Sequence, residues 1–290
     1  MEVYSVNILF LCTGNTCRSP MAAALSAMRC ASRGVDASIG SAGLSAWPGS
    51  PAEPNAISAA AELGADLTSH LAQQATPELL EQNDFVICLA ASHARRVAPF
   101  LPQENIRVLA GGIADPYGGD LDTYLACIRQ IDQALSALLP DLLCPAAVVP
   151  TEDTHLPALA ALERLAFSPP ASEAKLREKL ALDHNHMYTC IYNEEIAGFL
   201  GVDEIAGEAF IDDLAVFPQH RRRGIASALL AHAETGAILR GCEKIHLECR
   251  ESNAPALTLY ESRSYARVGR RKNFYGTPKE DAILMTLEVK

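Results

Sequence analysis

The stretch CTGNTCRSP at residues 12–20 decides the fold of the first half of the chain, because it joins a strand pattern to a helix pattern. The apolar run Val6–Leu11 precedes it, and the alanine-rich segment Met21–Ala31 follows it. A turn with glycine and asparagine at such a junction lets successive backbone N–H groups surround a tetrahedral anion at a helix N-terminus. We therefore predict an anion-binding loop with Cys12 at its centre, in which the planar guanidinium of Arg18 holds two of the anion's oxygens.

Cys12 is a candidate nucleophile because of where this loop places it. Helix N-termini and neighbouring cations lower the pKa of a cysteine thiol below its free value of about 8.5, so a thiolate is expected beneath the anion. A cysteine near a strand end is more often a small buried apolar residue, but the surrounding loop argues against that interpretation. The loop amides are the expected phosphate ligands, and they belong to Thr13, Gly14, Asn15, Thr16, Cys17 and Ser19.

The longer string NILFLCTGNTCRSPMAAA at residues 7–24 resembles the low-molecular-weight protein tyrosine phosphatase family. The SAG segment Ser41–Gly43, Trp47 and His70 also fall at positions that match this family. The resemblance covers about half of the chain, roughly residues 4–143. It implies a phosphatase that uses a cysteine nucleophile and requires no metal.

The same resemblance assigns the reaction steps. Asp115, in the sequence DPYGG, matches the general acid of the family, although Asp-Pro is also ordinary turn chemistry. The Cys12 thiolate would attack phosphorus and form a cysteinyl phosphate, while Arg18 and the loop amides stabilise the charge on the equatorial oxygens. Asp115 would protonate the leaving group and then take a proton from the hydrolytic water.

Two further loop residues carry expectations that come from the family. Tyrosine-specific members usually have an apolar residue at the position of Thr16, whereas bacterial protein-arginine phosphatases have threonine. The string CTGNTCRSPMA therefore resembles the arginine-phosphatase subgroup, with phosphotyrosine as the alternative substrate. By the same resemblance, Cys17 forms a reversible disulfide with Cys12 that protects the thiolate, or it only fills space.

A second small-residue turn lies in the other half of the chain. The strand-like segment Phe210–Val216 leads into the turn FPQHRRRGIA at residues 217–226, which opens a predicted helix over Ala228–Leu239. The spacing Arg221-x-x-Gly224-x-Ala226 places small residues where backbone amides approach a ligand at a helix N-terminus. A pyrophosphate is the natural occupant, and three consecutive arginines favour it.

The surrounding sequence resembles the GNAT acetyltransferases, specifically the ribosomal-protein-alanine N-acetyltransferase (RimI) family. The match is dense over residues 210–287 and weaker over 147–209. It implies acetyl-CoA as co-substrate, Glu248 as general base and Tyr260 as general acid. The segment Ala166–Ser172 lacks the tryptophan that many relatives carry, so the peptide side of the site is less well defined. The implied cofactor contacts are Leu214, Ala215 and Val216 for pantetheine, Arg222, Arg223, Gly224, Ile225, Ala226 and Ser227 for pyrophosphate, and Asn253.

The pattern of elements predicts an α/β chain of two domains. Strand-like and helix-like segments alternate in the first half, which indicates a parallel sheet whose ligand site lies at the carboxyl ends of the strands. The segment at residues 142–150 contains two prolines and marks the boundary. We predict a parallel-sheet low-molecular-weight phosphatase fold at residues 1–143, followed by a mixed-sheet GNAT acyltransferase fold at residues 144–290.

Composition narrows the function classes. The formal net charge of −11 argues against direct nucleic-acid binding. No segment approaches the roughly 18–20 apolar residues of a membrane span, so no membrane partner is expected. Nine cysteines without paired spacing, one of them needed as a thiolate, indicate a cytoplasmic protein. His184 and His186 are too few ligands for a zinc site, and no metal is expected.

The favoured hypothesis is a bifunctional enzyme. One half would act on phosphorylated proteins, and the other would acetylate the N-terminal alanine of a ribosomal protein. A second hypothesis keeps one domain active and the other for binding or regulation. A third is an arsenate reductase on the N-terminal fold, but the other cysteines are scattered and do not suggest a relay to Cys12.

Overall fold

The structure, a computed structural model, describes residues 6–142 and 146–290 and divides into two compact units. The first unit comprises Met1–Leu139 with Lys290, and the second comprises Pro140–Val289. The predicted boundary between residues 143 and 144 lies outside the described residues. A parallel sheet in the first unit and a mixed sheet in the second confirm the predicted fold class.

The sheet of the first unit has four parallel strands. They are β1 (Val6–Cys12), β2 (Ala37–Gly43), β3 (Phe85–Cys88) and β4 (Ile106–Val108), in the spatial order β2-β1-β3-β4. The helices of this unit are α1 (Arg18–Ser32), α2 (Pro54–Glu62), α3 (Pro77–Glu81), α4 (Ala91–Val97) and α5 (Leu121–Leu142). Because parallel strands end on the same edge of a sheet, the loops that follow β1, β2 and β3 lie near one another.

β1 is an interior strand and is apolar along most of its length. Ile8, Leu9, Phe10 and Leu11 are each at most 1% exposed. A continuous apolar run, rather than an alternating one, is what a parallel strand needs when both faces of the sheet are covered. The apolar run ends at Cys12, so the thiol lies at the carboxyl end of the strand, where the sequence placed it.

The second unit has a seven-stranded sheet. Its strands are β5 (Ala147–Pro150), β6 (Asn185–Tyr192), β7 (Glu195–Ile205), β8 (Glu208–Val216), β9 (Lys244–Arg250), β10 (Ala266–Gly276) and β11 (Lys279–Glu288), in the order β10-β11-β9-β8-β7-β6-β5. Its helices are α6 (Leu156–Ala166), α7 (Glu173–Leu180), α8 (Ile225–Leu239) and α9 (Ala254–Ser262). β8 and β9 are parallel, and the other neighbouring strands are antiparallel.

The parallel pair β8 and β9 separates part-way along its length. Their register runs from Glu208 opposite Lys244 to Ile211 opposite Leu247, although both strands continue beyond it. On its other edge, β8 stays paired with β7 as far as Val216. A bulge in the β7–β8 pairing falls beside the point of separation and bends the strand there. The edge of β8 that faces β9 therefore carries backbone groups, over residues 212–216, that have no strand partner.

α8 packs on the strands of the second unit and carries a buried charge. Glu234 is 5% exposed, and its carboxylate accepts two hydrogen bonds from Arg263, the shorter at 2.6 Å. Arg263 also donates to the hydroxyl of Ser227 at 3.3 Å. A buried carboxylate is tolerated when a guanidinium and further hydrogen bonds surround it, so this pair connects α8 to the end of α9.

α6 buries a second carboxylate that has no cationic partner of this kind. Glu163 is 1% exposed, and its Oε2 accepts a hydrogen bond from the N–H of Ala171 at 2.9 Å. Its Oε1 has no hydrogen-bond partner among the described residues. Burial, reinforced by the charges of Asp213 and Asp212, raises the pKa of Glu163 to about 7. The group therefore binds a proton more tightly in the folded protein than in the unfolded chain.

This pKa shift predicts that Glu163→Gln stabilises the second unit at neutral and alkaline pH but not at acidic pH. A folded-state pKa raised above the ordinary 4.5 means that stability is lost as pH rises from about 4.5 to about 7. The amide carries no charge, so the variant should match the wild type at about pH 4 and unfold at a higher temperature at about pH 8. Thermal unfolding at both pH values measures this. Glu243→Gln, at an exposed position, is the control and should change neither value; equal pH dependence in wild type and Glu163→Gln would contradict the prediction.

Candidate active sites

The loop between β1 and α1 surrounds the thiol of Cys12. Cys12 is 3% exposed, its Sγ accepts a hydrogen bond from the N–H of Asn15 at 3.2 Å, and it lies 3.0 Å from the hydroxyl of Ser19. Donors directed at sulfur stabilise a thiolate. The structure thus places Cys12, the predicted nucleophile, inside the loop that the sequence predicted around it.

Asn15 supports this loop rather than binding an anion through its side chain. It is fully buried and adopts a left-handed conformation with φ of 58°. Its Nδ2 donates to the hydroxyls of Ser19 and Ser41 at 2.9 Å each, and its Oδ1 accepts from the N–H of Gln73 at 2.9 Å. The Asn15 carbonyl lies 2.7 Å from Nε2 of His70, which must donate because a carbonyl can only accept. Both polar atoms of the Asn15 side chain thus have partners within the protein, so only the Asn15 backbone is available to bind an anion.

Gly43, at the end of β2, allows the loop to pack closely against the sheet. A Cβ at this position would lie 2.7 Å from the carbonyl oxygen of Thr13 and 2.9 Å from the nitrogen of Asn15. Both are backbone atoms of the anion loop, so they cannot move aside without changing the loop. The glycine of the SAG segment is therefore part of what sets the loop's curvature.

Arg18 lies beneath the loop and reaches the other side of the site. It is 5% exposed, donates to the carbonyl of Ile113 at 3.1 Å and forms an ion pair with the carboxylate of Asp115. Within the part of the chain that the structure describes, its Nε is buried and has no hydrogen-bond partner. Such a donor suits an anion oxygen, since an unpaired buried N–H is costly. Asp115 is half-exposed, and its Oδ1 accepts from the N–H of Tyr117 at 3.2 Å.

An open cavity of about 570 Å³ lies over this loop. Cys12 and Arg18 line it, and Thr16 and Cys17 form part of its wall. Two strongly exposed aromatic side chains also line it, Trp47 at 82% and Tyr117 at 70% exposure, and the remaining lining residues are Thr13, Gly14, Ser45, Ser50, Pro51, Ala52, Glu53, Pro54 and Asp115. The cavity thus combines the polar loop at residues 12–18 with two aromatic side chains in its lining.

Cys17 contacts two hydroxyl groups in addition to filling space. Its Sγ lies 3.3 Å from the hydroxyl of Tyr124 and 3.6 Å from that of Thr16. Burial raises the pKa of the Cys17 thiol, so it is less readily ionised than an exposed cysteine. Cys12 and Cys17 are both free thiols, and the disulfide between them stays a prediction.

His93 is a residue near the site that the sequence did not reveal. Its Nε2 lies 3.0 Å from the hydroxyl of Thr13, and its Nδ1 is buried without a partner among the described residues. Burial and the charge of Arg18 lower the pKa of His93 to about 4, so the ring is neutral near pH 7. An unpaired lone pair at Nδ1 costs less than an unpaired N–H, which favours Nε2 as the donor. The Thr13 hydroxyl hydrogen is then left to donate elsewhere.

In the second unit, the turn before α8 has the geometry of an anion site. Arg222 has φ of 62° and Gly224 has φ of 82°, and α8 begins at the next residue and runs for 15 residues. The first N–H groups of such a helix have no intrahelical acceptor. Arg223 stacks on Tyr192, with its guanidinium carbon 5.3 Å from the ring centroid, and Arg221 donates to the carbonyl of Val216 at 3.3 Å.

Two predicted cofactor residues have other uses for their side chains. The Ser227 hydroxyl is buried and accepts from Arg263 at 3.3 Å, which leaves its O–H hydrogen and its backbone N–H as donors. Asn253 caps α9, because its Oδ1 accepts from the N–H of Ala256 at 3.3 Å. Leu214, Ala215 and Val216 lie on the unpaired edge of β8, where an extended ligand can add hydrogen bonds as a neighbouring strand would.

Glu248 and Tyr260 occupy different surroundings. Glu248 lies on β9, where Leu247 and Cys249 alternate into the core, and its Oε1 is 2.9 Å from a guanidinium nitrogen of Arg271. Tyr260, on α9, is 7% exposed and packs in the same core as Leu247 and Cys249. Burial raises the pKa of Tyr260, so its phenol keeps its proton at neutral pH. The structure therefore provides one carboxylate and one protonated phenol near the separated strands.

Among the described residues, no group of three or more His, Cys, Asp or Glu side chains is arranged to hold a metal ion. No helix within those same residues is both long and apolar enough to cross a membrane.

Known proteins match the two halves of the chain separately. The protein-arginine-phosphatase of Bacillus subtilis is 33% identical over 146 residues, which are 47% of this chain and 97% of that protein. The ribosomal protein bS18-alanine N-acetyltransferase of Escherichia coli K12 is 34% identical over 140 residues, 48% of this chain and 94% of that protein. Family profiles agree: the low molecular weight phosphotyrosine protein phosphatase family matches residues 7–148, and the acetyltransferase (GNAT) family matches residues 156–265. The chain belongs to both families.

This fusion of a phosphatase and a GNAT N-acetyltransferase resembles phosphatases of more than one kind. The probable low molecular weight protein-tyrosine-phosphatase EpsP of Ralstonia nicotianae is 34% identical over 139 residues, 46% of the fusion and 93% of that protein. Its identity to the fusion is about the same as that of the arginine phosphatase. Overall sequence similarity therefore confirms the phosphatase family but does not distinguish a phosphate ester from a phosphoramidate as the substrate. That distinction depends on particular residues of the site.

Gly43→Ala should impair the phosphatase domain of the fusion without affecting the acetyltransferase domain. The added methyl would displace backbone atoms of the anion loop, and a misplacement of about 1 Å can cost roughly 100-fold in rate. The measurement is kcat for p-nitrophenyl phosphate. Gly40→Ala, in the same strand, is the matched control, because a Cβ there meets only a flexible Leu9 methyl at 3.4 Å. Equal kcat in the two variants would show that Gly43 does not shape the loop.

Proposed function

We propose that the fusion is a bifunctional enzyme, a protein phosphatase acting on phosphoarginine and an acetyltransferase acting on the N-terminal alanine of a ribosomal protein. The observation that carries the first activity is the Cys12 thiol, which accepts the Asn15 N–H beneath a loop that also presents Arg18. A reactive thiolate requires a reducing compartment, which supports a cytoplasmic location.

The phosphatase reaction follows from these positions. The Cys12 thiolate attacks phosphorus, so an S–P bond forms as the bond to the leaving nitrogen or oxygen breaks. The unpaired Nε of Arg18 and the loop amides take the charge of the equatorial oxygens. Asp115 donates a proton to the leaving atom, and then accepts one from the water that hydrolyses the cysteinyl phosphate. No step requires a metal.

Thr16 supports phosphoarginine as the substrate. It lines the cavity beside Cys17, and its carbonyl accepts the N–H of Glu53 at 2.9 Å, which fixes the loop against the opposite wall. Compared with an apolar branched residue at this position, threonine leaves more space at the cavity wall and adds a hydroxyl group. A guanidino group is polar along its whole edge and fits such a wall better than a phenyl ring does.

The acetyltransferase reaction rests on the unpaired edge of β8 and the turn before α8. When bound, acetyl-CoA supplies the activated acetyl group. The turn at Arg222–Gly224 and the first amides of α8 would hold its anionic diphosphate. Glu248, whose Oε1 contacts Arg271, accepts a proton from the substrate α-ammonium, directly or through one water. Tyr260 protonates the departing thiolate.

Substitutions in the anion loop test the phosphatase proposal. Cys12→Ser should abolish cleavage of both phosphoarginine and phosphotyrosine peptides, because the hydroxyl is a poor nucleophile without a base. Thr16→Ile should shift the ratio of kcat/KM toward phosphotyrosine by at least about fivefold, since it fills the wall with an apolar group. Thermal unfolding of the same preparations is the folding control. An unchanged ratio would reject Thr16 as the selective residue, and arsenate reduction without phosphatase turnover would favour the reductase alternative.

Acetylation of a peptide with a free N-terminal alanine tests the second activity. Glu248→Gln and Tyr260→Phe should each lower kcat by about 100-fold or more, in line with the usual contribution of general acid–base groups. The loss in Glu248→Gln should diminish as pH rises, because the substrate amine then deprotonates without help. Unchanged rates in both variants would remove the assigned roles, and thermal unfolding of the same samples reports folding.

A further inference from the structure

The cavity of the phosphatase domain carries a carboxylate to which the family motif assigns no role. Glu53 immediately precedes α2 and lines the cavity together with Thr16 and Cys17. Its backbone is held on both sides, because its N–H donates to the Thr16 carbonyl at 2.9 Å and its own carbonyl accepts from Ile57 at 3.0 Å. The residue is half-buried, so its side chain has both a fixed origin and access to a ligand.

The Glu53 side chain is not used by the protein itself. It does not cap α2, and among the described residues it makes no side-chain hydrogen bond or ion pair. Such a carboxylate in a cavity wall is available to a ligand. Substituting it alters no contact that the structure assigns to the fold.

Glu53 and Asp115 place negative charge on the same region of the cavity. The side chain of Asn55 donates to the carbonyl of Gly119 at 3.2 Å, which joins the start of α2 to the loop that carries Asp115. Both carboxylates also act on Cys17, whose pKa is raised first by burial and then by their charges. The only cation among the described lining residues is Arg18, and it is already paired with Asp115.

The charge of the leaving group differs between the two candidate substrates. Cleavage of phosphotyrosine breaks a P–O bond, and the oxygen takes a proton from Asp115 to leave as a neutral phenol. Cleavage of phosphoarginine breaks a P–N bond, and the nitrogen takes the same proton to leave as a guanidinium with one positive charge. The phosphoryl group is common to both, so its repulsion from a nearby carboxylate cancels when the two substrates are compared.

We propose that Glu53 is a specificity-determining residue that favours phosphorylated guanidino groups through the attraction of its carboxylate for the cationic leaving group. The inference rests on the proposed phosphatase function of the Cys12 loop. Glu53 lies in the cavity wall beside Thr16, so the charge of Glu53 and the size of Thr16 act on the same part of the substrate. A partly exposed ion pair of this kind is screened, and the expected preference is about fivefold to tenfold.

The test compares kcat/KM for a phosphoarginine peptide and a phosphotyrosine peptide of the same sequence. Glu53→Gln should lower the arginine-to-tyrosine ratio by about fivefold to tenfold, and Glu53→Lys should lower it further. Glu53→Asp keeps the charge and should keep most of the preference. The effect of Glu53→Gln should shrink as salt is raised, because screening weakens the wild-type attraction. Glu62→Gln, at the exposed far end of α2, is the matched control.

The outcomes separate the inference from the function on which it rests. A ratio that Glu53→Gln leaves unchanged, or an equal loss on both substrates, overturns the role of Glu53. A wild type that prefers phosphotyrosine while Glu53→Gln still shifts the ratio supports Glu53 and rejects phosphoarginine as the main substrate. A wild type that cleaves neither peptide overturns the phosphatase function, and the inference fails with it.

Discussion

The phosphatase domain depends on one constraint, which is that the backbone N–H groups of the loop between β1 and α1 face inward. A loop that turns its amides toward an anion must turn its carbonyls outward, and those carbonyls need partners of their own. His70 donates to the carbonyl of Asn15, and the Asn15 side chain ties the loop to Ser41 and Gln73. Gly43 lets the loop sit directly on the end of β2. The loop at residues 12–18 is thus shaped by residues of β2 and of the segment that follows α2.

In the acetyltransferase domain, backbone groups are available to a ligand because one edge of a strand is only partly paired within the sheet. β8 and β9 pair only as far as Ile211 and Leu247, so the rest of β8 keeps one edge for a ligand. Its other edge stays bonded to β7, which holds the strand in place. The predicted pyrophosphate site at the start of α8 lies directly after this strand in sequence, separated by a short turn. One strand and its following helix therefore offer both kinds of contact that a long, anionic ligand needs.

The local structure predicted from the sequence is present where it depends on neighbours in the chain. The loop at residues 12–18 and the turn before α8 were predictable, because a strand, small residues and a helix follow one another. Contacts between residues that are distant in the sequence were not predictable. His93 reaches Thr13 across 80 positions, and nothing in the helix that carries it signals the contact. The separation of β8 from β9 and the pairing of Glu248 with Arg271 likewise depend on how strands meet, which no local pattern records.

The ion pair between Arg18 and Asp115 links anion binding to placement of the acid. Arg18 also donates to the carbonyl of Ile113, two residues before Asp115, so its orientation and that of the acid loop are set together. In the proposed phosphatase reaction, a bound phosphoryl group would take up the free Nε of Arg18 and compete with Asp115 for the other in-plane donors of the guanidinium, because both partners are anionic. A weaker hold on Asp115 would let its carboxyl face the leaving atom, as its proposed role as general acid requires.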